Sequence, residues 1–220
     1  MLIGNFNLPL TAPARLLSAR TQAAAAASVD KGPPLSLIPP RLTAPAQPTV
    51  AAAPHYPVQI IIIRHAEKPD DNDNSSDPAG LSAQGQERAQ ALADAIPARY
   101  PHIDYLFASA ASKNSHRPID TITPLSQKLG LGIDTSYADK QYADLAQTLE
   151  TDPKYAGKTV LICWHHGKIP QLTQALGATP PVSPWPGQTF DRIWQIDYGA
   201  DQKATIQNLP QHVLPGDSTR

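Results

Sequence analysis

Three short stretches of the sequence gather cationic and imidazole side chains. Arg64-His65-Ala66-Glu67-Lys68-Pro69 follows an apolar, β-branched run, Ser115-His116-Arg117-Pro118 opens a helix-like segment, and His165-His166-Gly167-Lys168 follows a second apolar run. An arginine fork bonds phosphate oxygens in pairs, so Arg64 and Arg117 together can hold a phosphoryl group and neutralise its charge. A helix beginning near Pro118 adds the dipole of its N-terminus. A neutral imidazole is a competent nucleophile at phosphorus, and a phosphohistidine divides hydrolysis into two easier displacements. Neighbouring arginines favour the neutral imidazole because they oppose a further positive charge. A second histidine, His165, would bond the transferring oxygens and stabilise charge that grows in the transition state.

Such chemistry needs a scaffold that brings the three stretches together. Val58 to Ile63 is a near-continuous β-branched run of the kind buried on both faces of a parallel sheet. From Leu81 to Ile96, Leu81, Ala89, Leu92, Ala93 and Ile96 recur at helical spacing behind Ser82 as N-cap. Tyr105 to Ala108 reads as a strand, and Pro118 to Leu129 as a helix stopped by Gly130. Ile133 to Tyr137 is expected as an edge strand and Asp144 to Leu149 as a helix. Thr159 to Trp164 reads as a buried strand, Ile169 to Leu176 as a helix ended at Gly177, and Phe190 to Tyr198 and Ala204 to Leu209 as final strands. The alternation predicts an α/β three-layer sandwich, a mainly parallel central sheet with helices on both faces. Ligands of open parallel sheets sit beyond the carboxyl ends of the strands, which is where all three stretches fall.

The 220 residues suit one ordinary domain. Residues 1–54 are rich in Ala and Pro and contain Asp30 as their only acid, so they read as a disordered leader or a targeting segment before a catalytic domain at 55–220. Arg15 and Arg20 among many Ala give the opening the composition of an organelle transit peptide, while a plain linker ahead of a cytoplasmic domain is the preferred reading. A formal net charge of -1 supplies no global basic field for nucleic acid. No run reaches the roughly 18 apolar residues needed to span a bilayer. The single cysteine, Cys163, lies in an apolar strand and reads as a buried, unreactive thiol. Trp185 and Trp194 are expected as core or lid residues, Glu67 and Lys68 as a local pair, and Asp70, Asp71, Asp73 and Asp77 as a solvated loop.

Beyond the Arg64-His65 pair, Gly80-Leu81-Ser82-Ala83-Gln84-Gly85-Gln86-Glu87-Arg88-Ala89, Ser115-His116-Arg117-Pro118-Ile119-Asp120-Thr121 and the block from Val160 to Pro170 follow in order. The ordered set resembles the histidine phosphatase superfamily, whose fold is called phosphoglycerate-mutase-like. The resemblance implies His65 as nucleophile, Arg64, Arg117 and His165 as the phosphate pocket, and no metal or other cofactor. Many members carry a glutamate proton donor after the second arginine. The comparable stretch from Tyr137 to Asp144 has none, which leaves Asp139, Asp144 or His166 as candidate donors. The His165-His166 pair makes the second histidine ambiguous by one, and counting back from Ile169-Pro170 favours His165.

The function expected on this resemblance is a phosphatase acting on a phosphomonoester or phosphohistidine, with a small phosphorylated molecule or a phosphoprotein as substrate and neither nucleic acid nor membrane as partner. A phosphoglycerate-type mutase and a catalytically silent phospho-ligand-binding module are the alternatives. A histidine-based metal hydrolase would need carboxylates at ligand spacing around His165 and His166, which the sequence lacks.

Overall fold

The computed structural model describes residues 56–70 and 76–218. The expected leader at 1–54, and Asp71 and Asp73 of the acidic loop, lie outside them. Six strands form one sheet in the order β3-β2-β4-β1-β5-β6. β1 (Gln59–Arg64), β2 (Tyr105–Ala108), β3 (Ile133–Asp134) and β4 (Thr159–Trp164) are mutually parallel, with β4 between β1 and β2. β5 (Arg192–Tyr198) runs antiparallel to β1, and β6 (Ala204–Pro210) antiparallel to β5. The short connection between β5 and β6 leaves no length for a crossover, so the two strands must pair antiparallel.

The run of isoleucines in β1 shows why the sheet is covered twice. Ile60 and Ile62 pack with Leu145, Ala146 and Leu149 of α3 (Tyr142–Thr151) and Ile169 and Leu172 of α4 (Ile169–Ala175). Ile61 and Ile63 pack with Leu92, Ala93 and Ile96 of α1 (Ala83–Arg99) and Ile122 and Leu125 of α2 (Arg117–Leu129). All four isoleucines are fully buried, each contributing about 1.5–3 kcal/mol of hydrophobic stabilisation. The three-layer α/β sandwich follows from this alternation.

Most element ends fall where local chemistry puts them. The Ser82 hydroxyl caps α1 by accepting from the Gly85 N–H at 3.1 Å. α1 continues past Pro97 to Arg99, because a proline in the last turn removes only one ladder bond. Gly130, at φ +67°, ends α2 in the left-handed conformation. β3 stops at Asp134, not at Tyr137, because the Ser136 N–H turns back onto the Asp134 carboxylate at 2.9 Å. Strand β5 begins at Arg192 and leaves Phe190 in the preceding loop, a departure from the expected start that matters for the site.

Candidate functional site

Arg64 closes β1 level with Trp164, the last residue of β4. The chain stays clamped one residue further, where the His65 N–H donates to the Trp164 carbonyl at 3.0 Å. The Ala66 N–H donates to Thr121 Oγ1 at 2.9 Å, and that hydroxyl donates to the Arg117 carbonyl at 2.7 Å. Thr121 thus ties the loop carrying His65 to the first turn of the helix carrying Arg117.

The His65 ring is almost wholly buried, with 3% of the residue exposed. Its Nδ1 lies 2.7 Å from the Ala66 carbonyl oxygen. A carbonyl only accepts, so Nδ1 carries the proton and Nε2 keeps its lone pair. Burial, followed by the charges of Arg64, His165 and Arg117, pushes the His65 pKa down to about 2 against the opposing pull of the Ala66 bond. His165 meets His65 edge-on, ring centroids 5.1 Å apart at 67°. Burial first, then Arg117, His166 and Arg64, lowers the His165 pKa to about 4.

Arg64 is 2% exposed, and its guanidinium lies 3.7 Å from the centre of the Phe190 ring. Its Nη1 donates to the carbonyls of Gly187 at 2.7 Å and Thr189 at 3.0 Å. Burial lowers its pKa to about 10, with Glu67 opposing and Arg117 adding to the fall, so it stays charged at neutral pH. Arg117 Nη1 donates to the carbonyls of Pro78 and Ala79 at 3.1 and 3.2 Å. The Nε atoms of both arginines are buried and have no hydrogen-bond partner in the protein. One buried and one half-buried guanidinium, two neutral imidazoles and unspent N–H donors suit an incoming phosphate or similar anion.

The three candidate donors differ. Asp139 opens a single 3-10 turn (Asp139–Gln141) whose carbonyl accepts from Trp164 Nε1 at 3.1 Å, which holds the turn beside the end of β4. Its Oδ1 is buried and unpartnered, and burial raises its pKa against the opposing charges of Lys168 and Lys140. Asp144 is exposed on α3 and accepts from Gln141 Nε2 at 3.3 Å. His166 is half-buried with Nδ1 unpartnered, and burial, then Arg64 and Lys68, lowers its pKa.

Glu67 does not pair locally with Lys68; its carboxylate goes to Arg88 at 2.8 Å. Asp77 is not simply solvated, because with Asp120 it brackets His116 at 3.1 and 2.6 Å. Burial alone would lower the His116 pKa, but the hydrogen bonds and charges of Asp120 and Asp77 outweigh it and raise it. Cys163 is fully buried, which pushes its thiol pKa far up. Trp185 and Trp194 are core residues in mutual contact, centroids 4.6 Å apart. A cavity of about 630 Å³ opens beside the cluster, lined among others by Lys68, Gln84, Gly187, Gln188 and Phe190. Among the described residues, no group of three or more His, Cys, Asp or Glu is placed to hold a metal ion, and no helix is long and apolar enough to cross a membrane.

The sequence does not mark Phe190, Thr121 and Arg88 as supports of the site. Thr121 and Arg88 lie within the motif stretches at 115–121 and 80–89, which is a signal, whereas the loop around Phe190 has the composition of the strand that follows it.

No protein-family model and no curated protein matches the sequence. Solved structures do match. A protein of Escherichia coli K-12 described as a putative alpha-ribazole-5'-P phosphatase superposes with a TM-score of 0.51 at 14% identity, covering 70% of this chain and 96% of that one. The protein histidine phosphatase SixA, complexed with tungstate, gives 0.49 at 16% identity over 70% and 97% of the two chains. A phosphoglycerate mutase from Plasmodium falciparum gives 0.48 at 12% identity over 74% and 96%. The chain has the phosphoglycerate-mutase-like α/β fold.

Proposed function

We propose that the domain at 55–220 is a phosphatase of the histidine phosphatase type, hydrolysing a phosphomonoester or phosphohistidine through a covalent phosphohistidine at His65. The observation that carries this reading is the neutral, buried His65 with its proton fixed on Nδ1, set among two arginines and a second histidine. Arg64 and Arg117 receive the phosphoryl oxygens. Nε2 attacks phosphorus, the bond to the leaving oxygen breaks, and that oxygen takes a proton. His165 donates a hydrogen bond to the oxygens that gather charge. The Ala66 carbonyl, holding the Nδ1 proton, stabilises the positive charge that develops on the ring as the P–N bond forms.

Asp139 is the preferred proton donor, because burial keeps its carboxyl protonated further up the pH scale than an ordinary aspartate. Asp144 has no such environment, and the lowered pKa of His166 leaves little acid form at neutral pH. In the second step water attacks phosphorus and gives a proton to the Asp139 carboxylate. The P–N bond breaks, His65 returns to its neutral form with Asp139 protonated again, and inorganic phosphate leaves as the product. The likeness of fold to the Escherichia coli protein described as a putative alpha-ribazole-5'-P phosphatase supports this reading, and the cavity lined by Gly187 and Phe190, both in contact with Arg64, adjoins the cluster.

Hydrolysis of an activated aryl phosphate in the presence of EDTA, by the wild type and by His65→Ala, tests the proposal. The expected result is turnover, and an acid-labile phosphoenzyme trapped by acid quench, in the wild type alone. Tight binding of phosphate without a phosphoenzyme at any pH would sink the phosphatase and leave the silent binding module.

A further inference from the structure

We infer that the segment Gln211–Ser218, anchored on Arg88, is a strap that positions both His65 and Arg64, with Asp217 as its main positioning residue. This rests on the reading of His65 as nucleophile. Arg88 lies on α1 and is 3% exposed, and all three of its nitrogens are engaged. Nε donates to both Glu67 oxygens at 2.9 and 3.0 Å. Nη1 donates to Gln211 Oε1 and Asp217 Oδ2, each at 3.0 Å, and Nη2 to Asp217 Oδ1 at 2.8 Å. The Glu67 and Asp217 side chains keep 12% and 5% of their exposure. Two carboxylates held almost out of water against one guanidinium form a unit that cannot lose a member cheaply.

One end of this unit governs the nucleophile loop. Glu67 lies two residues beyond His65, and its carbonyl accepts from the Ser82 N–H at 3.0 Å. A Cβ on Gly85 would stand 2.3 Å from that carbonyl oxygen, so the start of α1 presses directly on the peptide. With its carboxylate fixed by Arg88 and its carbonyl by α1, Glu67 cannot shift without moving Ala66, whose carbonyl fixes the His65 tautomer.

The other end governs the arginine. The Gln211 N–H donates to the Asp191 carbonyl at 2.8 Å, and Gln211 Nε2 to the Arg192 carbonyl at 3.3 Å. Ser218 donates to Asp191 Oδ2 from its backbone N–H at 2.5 Å and its hydroxyl at 2.6 Å. Asp191 directly follows Phe190, the ring on which Arg64 lies. Asp217 Oδ2 also accepts from the N–H groups of Val213 and Leu214 at 2.9 and 3.1 Å, so the strap is internally stiff. One short segment therefore braces both supports of the site without touching any reacting atom.

The test compares Asp217→Asn, which keeps the shape and removes the charge, with Ser218→Ala and Asp217→Glu, all in the full chain. Two readouts are taken: kcat and KM for an aryl phosphate, and the imidazole 15N signals of His65, which report the Nδ1–H tautomer whether or not the protein is an enzyme. Asp217→Asn is expected to lower kcat about tenfold with KM within about twofold, the signature of misplaced reacting groups, and to shift or broaden the His65 signals. Asp217→Glu is expected to restore part of both, and Ser218→Ala to cost about twofold. A folded Asp217→Asn with wild-type kcat and unmoved His65 signals overturns the strap; if Asp217→Asn does not fold, the milder variants decide on the same readouts. A wild type without activity overturns the phosphatase reading alone, and moved or unmoved signals then still support or overturn the strap.

Discussion

Arg64 and Arg117 bring the same group to the candidate site on different foundations. Arg64 ends a central strand, lies against Phe190 and is 2% exposed, with its fork braced by the Gly187 and Thr189 carbonyls. Arg117 opens a helix and is only half-buried; its fork leans on the Pro78 and Ala79 carbonyls. That loop is held in turn by the His116 N–H, which donates to the Ala79 carbonyl at 3.1 Å, and by the contact of Asp77 with His116, whose side chains are 55% and 36% exposed. Solvent and salt weaken an exposed pair far more than a buried one. The pocket therefore joins a fixed arginine to one whose placement depends on conditions in the surrounding water.

The largest effect removes what both arginines serve. His65→Ala should lower kcat by about 10⁴ or more, as loss of a nucleophile does, measured on an aryl phosphate beside the wild type. Next comes the comparison itself. Arg64→Ala should cost about 10³ in kcat/KM and Arg117→Ala about 10², with Arg64→Lys giving little rescue because an ammonium cannot reproduce the fork. A larger loss at Arg117 than at Arg64 would break the contrast. Asp139→Asn should lower kcat about 10–100-fold on an alkyl phosphate, whose leaving group needs a proton, and change an activated aryl phosphate about twofold or less. Equal losses on both substrates would remove Asp139 from the donor role.

The smallest effect concerns the outer support. The His116 pKa is raised in the folded protein, so the bracketing by Asp77 and Asp120 is complete below the ordinary imidazole pKa and is lost as pH rises through the raised value. The wild-type KM should rise about two- to threefold across that window at low salt, and His116→Ala should show the higher value throughout, with the difference fading in high salt. A flat profile in the wild type would put Arg117 on as firm a footing as Arg64.

How far the sequence made this visible varies along the chain. β2 and β4 are legible to the residue, because a β-branched or aromatic run flanked by polar residues has one reading in a doubly covered sheet. The residues beyond strands β1 and β4 were likewise legible, since a parallel sheet directs attention to its carboxyl ends. The structure places Arg64, Arg117 and His165 close enough to His65 for ring contact or charge to act on it. The choice among Asp139, Asp144 and His166 was not legible, because it depends on burial that only the packed chain supplies. The strap escaped for another reason: Arg88 and Asp217 stand 129 residues apart, and no local pattern links them. Phe190 is not legible as a loop residue because its loop has the composition of the strand that follows.

The strand order carries a consequence for how the molecule assembles. β1 and β2 follow each other in the chain but not in the sheet, where β4 separates them. Until Thr159–Trp164 is made and inserted, the edges of β1 and β2 that will face it are open, and His165 has no place beside His65. Closing so long a loop is entropically costly and slow. On the proposed function, phosphate binding should therefore appear late in folding, and a growing or partly folded chain, which would still expose two unpaired strand edges, should lack the proposed nucleophile's neighbours.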